Sequence, residues 1–212
     1  MKVEVWVCTM THNADRILDA ALPVIAFDGW TPGVLEHAAV EAGLTAFDVK
    51  RTFPRGVIDA VNHFTARATA QMLAVLPADY ASLKIRERIA VAVMARLRGQ
   101  LPHREAVRRA VAVYAMPWHA GDALRASYAT VDAIWRAAGD TSTDYNFYTK
   151  RMILAKVYAA TLTVWLGDTS EDLADTEAFL RRRIDNVMQF EKFKAKAEGA
   201  IGSLEQWWPT FR

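Results

Sequence analysis

The residues from which a metal centre or a nucleophilic site would have to be built are few: five histidines (His12, His37, His63, His103 and His119) and a single cysteine, Cys8. A di-iron bundle needs Glu-x-x-His pairs on facing helices, and no glutamate here has a histidine three residues on. Zincin, phosphate-loop, dinucleotide-fingerprint and nucleophile-elbow patterns are absent as well. The histidines are scattered, which suits surface or capping positions better than ligation. Cys8 lies in a terminus expected to fray, a poor place for a nucleophile, and one cysteine permits no disulfide within the chain. The sequence therefore assigns no catalytic residue, no metal ligand and no cofactor, and the chain reads as not an enzyme.

Large, soft apolar side chains are abundant instead. Met72, Met94, Met116, Trp118, Tyr128, Trp135, Met152, Tyr158 and Trp165 exceed what a bundle needs merely to close. Methionine adapts to irregular apolar ligands, so these nine residues suggest a lipid-sized cavity, with plain core packing as the simpler alternative. The segment Tyr145 to Leu166 sharpens the point. At 100° per residue, Tyr145, Tyr148, Met152, Ala155, Ala159, Leu162 and Leu166 form one stripe, and Phe147, Arg151, Leu154, Tyr158 and Trp165 form another. A helix apolar on two faces can give one to the core. The second then wants a ligand, another subunit or a partner. The tail also stands out, because Trp207, Trp208 and Phe211 beside basic groups suit a bilayer interface, while packing back onto the protein would bury them equally well.

These side chains must be positioned by helices. Hydrophobic residues make up 52% of the chain and charged residues 24%, with only ten glycines, which favours an all-α class of about nine or ten helices. Helix-stop and helix-start chemistry divides the sequence clearly. The spacing predicts helices from near Ala14 to Asp28, Val34 to Ala42, Ala46 to Thr52, Arg55 to Leu76, Leu83 to Gln100, Arg104 to Ala115 and Trp118 to Ala138. Two more follow, one capped by Ser142 or Thr143 and running to Leu166, the last from about Glu171 to Glu198. Thr31 and Thr45 serve as N-caps, with Pro32 at a first helical position. Four regions result: a leader at 1–13, a three-helix subdomain at 14–54, a larger helical region at 55–198, and the aromatic tail at 199–212.

Ile17-Leu18-Asp19-Ala20-Ala21, Phe27-Asp28-Gly29-Trp30, Ala42-Gly43-Leu44 and Phe53-Pro54-Arg55-Gly56 resemble the helix-turn-helix domain of TetR-type repressors. That likeness implies a TetR-like fold, and a ligand-sensing repressor is the alternative function. Charge argues against DNA binding. From His12 to Thr65 the net charge is −3, whereas Ala66 to Arg212 carries +5, and nucleic-acid affinity rests on Lys and Arg neutralising phosphates. The expected recognition helix offers only Lys50 and Arg51, so no specific nucleic-acid partner is expected.

Gly139-Asp140-Thr141-Ser142-Thr143-Asp144-Tyr145-Asn146-Phe147-Tyr148-Thr149-Lys150-Arg151 resembles a segment of the ubiquinone (coenzyme Q) biosynthesis accessory family, the ninth protein of that pathway. Lys84 to Ile89, Thr130 to Arg136 and Phe179 to Phe190 support the likeness, which covers about residues 14–195. The resemblance implies a non-enzymatic lipid-binding homodimer that holds isoprenoid lipid or phospholipid. It also implies that such a protein helps a di-iron hydroxylase reach quinone intermediates buried in the membrane. Carried over residue by residue, the partner-binding patch is Asp144, Phe147, Tyr148 and Arg151; Phe147 stands where many relatives have tryptophan, and Lys150 where many have arginine. The start of the chain is too acidic for an Arg-rich transit peptide, which points to the bacterial cytoplasm, peripheral on the inner membrane.

Overall fold

A computed structural model of the chain describes residues 2–141 and 145–187, with side chains from Thr11 to Thr141 and from Phe147 to Val187. Among the described residues the secondary structure is helical, without a strand. The helices are α1 (Lys2–Asp28), α2 (Pro32–Glu41), α3 (Ala46–Thr52), α4 (Val57–Ala74), α5 (Ile85–Gly99), α6 (Arg104–Tyr114), α7 (Ala120–Ala137), α8 (Tyr145–Gly167) and α9 (174–187). Single 3₁₀ turns at Tyr80–Ser82, Leu101–His103, Pro117–His119 and Glu171–Leu173 lead into α5, α6, α7 and α9. The chain divides into two compact units, Met1–Ala155 and Lys156–Arg212.

Local chemistry accounts for the boundaries in the first unit. The Thr31 side chain accepts from the Val34 N–H, with Pro32 at the first helical position of α2. At α3, Thr45 and Asp48 form a reciprocal capping box: Oγ1 accepts from the Asp48 N–H, and the Asp48 carboxylate accepts from the Thr45 N–H. The expected start of α1 needs correcting. The helix begins at Lys2 and not near Ala14, since no glycine or proline interrupts it before Pro23.

One apolar cluster joins α1, α2 and α3 to α4 and α6. Ile17, Leu18 and Ile25 of α1, Leu35 of α2, Val61 and Phe64 of α4 and Ala106 of α6 are buried in it. Trp30 is its keystone, with its ring 5.4 Å from that of Phe64 and its Nε1–H donating to the Ala106 carbonyl at 3.0 Å. Each such aliphatic side chain stabilises the fold by about 1.5–3 kcal/mol on full burial. In the second unit, Asp168 accepts hydrogen bonds from the N–H groups of Ser170 and Thr176 and so fastens the turn that starts α9.

Candidate functional site

The corner between α7 and α8 begins where α7 ends in a glycine stop. Gly139 has φ +87°, and its N–H donates to the Arg136 carbonyl. Arg88 of α5 holds the corner from beneath: its guanidinium donates to the carbonyls of Ala138 at 2.9 Å, Leu83 at 2.8 Å and Ala81. A Cβ on Gly139 would lie 3.1 Å from Arg88 Nη1, so backbone conformation and close approach both select glycine there.

At the start of α8, Arg151 is only 2% exposed in its side chain. Its Nε donates to Asp132 Oδ1 at 2.7 Å, and its Nη1 donates to Asp140 Oδ2 and to the Phe147 carbonyl, both at 3.1 Å. The guanidinium carbon stacks 3.4 Å from the centre of the Phe147 ring. Lys150 adds a second tie, donating to Asp140 Oδ1 at 2.9 Å and lying 5.6 Å over the Trp135 ring, while Trp135 Nε1–H donates to the Lys150 carbonyl at 3.1 Å. Burial works to raise the Asp132 pKa, but hydrogen bonds and charge from Arg151 and Arg136 outweigh it and hold the carboxyl below its ordinary range. Such a cluster has a stake in remaining whole, because removing one partner of a buried ion pair costs about 3–5 kcal/mol.

Above this charged base the helix turns an apolar side outward. Phe147 is half-buried and meets Tyr148 edge-on, with ring centres 5.1 Å apart at 80°. Tyr148 is 64% exposed and Met152, one turn on, is 58% exposed. Of the two stripes on α8, the one containing Arg151, Leu154 and Trp165 is therefore buried, and the one containing Tyr148 and Met152 faces out. Among the four patch residues, Phe147 and Tyr148 come together at the surface, Arg151 lies beneath Phe147, and Asp144 lies outside the described residues.

Burial divides the nine apolar residues read as a lipid site. Met72, Met94 and Trp165 are fully buried, and Trp135 and Tyr158 are half-buried. Met116, Trp118, Tyr128 and Met152 are exposed, Trp118 to 73%. A cavity of about 510 Å³ between α4 and α7 is lined by none of them. Its polar walls include Arg55, Asn62, Asp122 and Arg125, where Arg55, Asn62 and Arg125 all donate to the Asp122 carboxylate and hold it well below the usual carboxylate range. Trp207, Trp208 and Phe211 lie outside the described residues. Among the described residues no group of His, Cys, Asp or Glu side chains is placed to hold a metal ion, and no helix is long and apolar enough to cross a membrane.

Asp132, Asp140 and Arg88 were not singled out by sequence reasoning. A signal for the first two existed: Arg151 is the charged member of an otherwise apolar stripe, and a cation on a buried face requires an acid. Nothing in the sequence pointed to Arg88, whose partners are backbone carbonyls.

The COQ9 family model matches residues 120–191, a span that contains this corner. Over 201 residues the chain is 30% identical to the human mitochondrial ubiquinone biosynthesis protein COQ9, covering 89% of this chain and 63% of that protein. It is 32% identical to the Drosophila melanogaster mitochondrial COQ9 over 204 residues, covering 90% of this chain and 60% of the relative. The chain thus spans less than two thirds of the length of these relatives. A TetR transcriptional regulator from Nitrosomonas europaea shares the fold at a TM-score of 0.67 and 22% identity, covering 81% of this chain and 95% of that one. The mitochondrial names of the relatives overturn the expected bacterial cytoplasmic location, which had been drawn from the acidity of the first residues. On a TetR-like all-α fold, the chain resembles the COQ9 ubiquinone biosynthesis proteins along most of its length, and the α7–α8 corner lies within the matched family segment.

Proposed function

We propose that the chain is a non-enzymatic accessory protein of ubiquinone biosynthesis that binds isoprenoid lipid or phospholipid and presents membrane-buried quinone intermediates to a di-iron hydroxylase. The hydroxylase docks on the start of α8 through Phe147 and Tyr148. The protein works as a homodimer at a membrane surface, with Trp207, Trp208 and Phe211 as membrane contacts. The observation that carries this reading is the outward apolar pair Tyr148 and Met152, 64% and 58% exposed on successive turns of α8, inside the segment that matches the COQ9 family. Exposed aromatic side chains on a stable helix are the kind of anchor on which protein interfaces concentrate their energy. The exposed Met116, Trp118 and Tyr128 supply apolar surface for the lipid.

The physical need is plain, since each buried CH₂ of a polyprenyl chain contributes about 0.8 kcal/mol against leaving the membrane. Delipidated protein incubated with quinone-containing vesicles and re-isolated should carry quinone or phospholipid by mass spectrometry. Protein that extracts neither overturns the reading. The repressor alternative is not favoured, because the family matched over 120–191 is COQ9 and the TetR likeness is one of fold.

A further inference from the structure

We propose that Asp132, Asp140 and Arg88 are positioning residues for the docking surface, and that Arg151 serves this surface through Phe147 without itself touching the partner. The inference rests on the docking reading above and deepens it.

The geometry forms a chain of contacts from the interior outward. Arg151 and Asp140 are 2% and 4% exposed in their side chains, so a partner lying on α8 meets neither. The guanidinium is oriented from two sides, by Asp132 on α7 and by Asp140 in the corner. Oriented in this way, it covers one face of the Phe147 ring at 3.4 Å and caps the Phe147 carbonyl at 3.1 Å. Phe147 in turn meets Tyr148 edge-on at 5.1 Å, and Tyr148 is the exposed member. Arg88 fixes the other end: its guanidinium donates to the Ala138 carbonyl, and its own carbonyl accepts from the Tyr80 hydroxyl at 3.0 Å. Asp140 is thereby held at the height Arg151 needs. A planar guanidinium that stacks and forks at once cannot be replaced by an ammonium, which separates this role from that of a simple positive charge.

A double-mutant cycle tests it. Purified chains are titrated calorimetrically against the purified di-iron quinone hydroxylase of the same organism, with circular dichroism confirming the fold. Arg151→Lys and Asp140→Asn should each weaken binding about three- to tenfold in the native background and less than about twofold in a Phe147→Ala background. Equal losses in both backgrounds overturn the inference, because Arg151 would then contact the partner directly. Absence of a loss in the native background overturns it too. If Arg151→Lys does not fold, Asp140→Asn, which is isosteric, carries the same comparison. Failure of the docking reading looks different: Phe147→Ala and Tyr148→Ala would leave affinity unchanged, and the inference would fall with it.

Discussion

Asp168 shows how much a single acceptor does in this chain. Its carboxylate accepts from the Ser170 N–H at 2.8 Å, the Ser170 hydroxyl at 2.6 Å, the Thr176 N–H at 2.9 Å and the Thr176 hydroxyl. Burial alone would raise its pKa, but these four donors outweigh burial and lower it to about 2. The folded value lies below the unfolded one of about 3.9, so the stabilisation is present above pH 4 and is lost as the pH falls through about 2. Asp168→Asn, which removes the charge and half the accepting capacity, should cost about 1–2 kcal/mol at pH 7, as loss of a capping residue does. Thermal melts should show the variant's stability falling less steeply than the native protein's between pH 4 and 2. The same logic of satisfied charge governs Arg151, and it explains why a residue expected in a partner-binding patch is buried between Asp132 and Asp140.

At the level of elements, caps and breakers decide where helices stop. The capping box of Thr45 and Asp48 and the turn after Phe53 place α3 at Ala46–Thr52, the range read from sequence. The α7–α8 corner depends in the same way on Gly139. Gly139→Ala imposes a left-handed conformation on an alanine, at about 1–2 kcal/mol, and pushes against Arg88. Its melting temperature should fall by about 2–4 °C per kcal/mol, and an unchanged value would show that the corner relaxes freely. α8 itself was legible as a helix with two apolar faces. Which face turned inward was not, because periodicity gives a direction around the axis and says nothing about where neighbours stand. α1 was misjudged at its start because a helix with no breaker and no cap leaves no mark of its first residue.

Across the whole molecule, charge separates this TetR-like fold from the activity that the fold suggests. In α3, Arg51 is paired with Asp48 at 3.0 Å, Phe47 is 71% exposed, and only Lys50 presents an exposed charge alongside them. A surface of this kind offers phosphates little. The protein should leave no footprint on DNA upstream of its own gene; a footprint there that vanishes in Lys50→Ala would restore the repressor. The helical class, the punctuation between elements, the net charge of the first helices and the family likeness were all legible in the sequence, because propensity, capping and net charge are properties of residue order and type. The tertiary structure decided which stripe of α8 faces out, that Arg151 is sunk between Asp132 and Asp140, and that Arg88 holds the corner. Those outcomes depend on residues 11 to 50 positions apart meeting in space, and no local pattern encodes where a distant carboxylate or carbonyl will stand when the chain has folded.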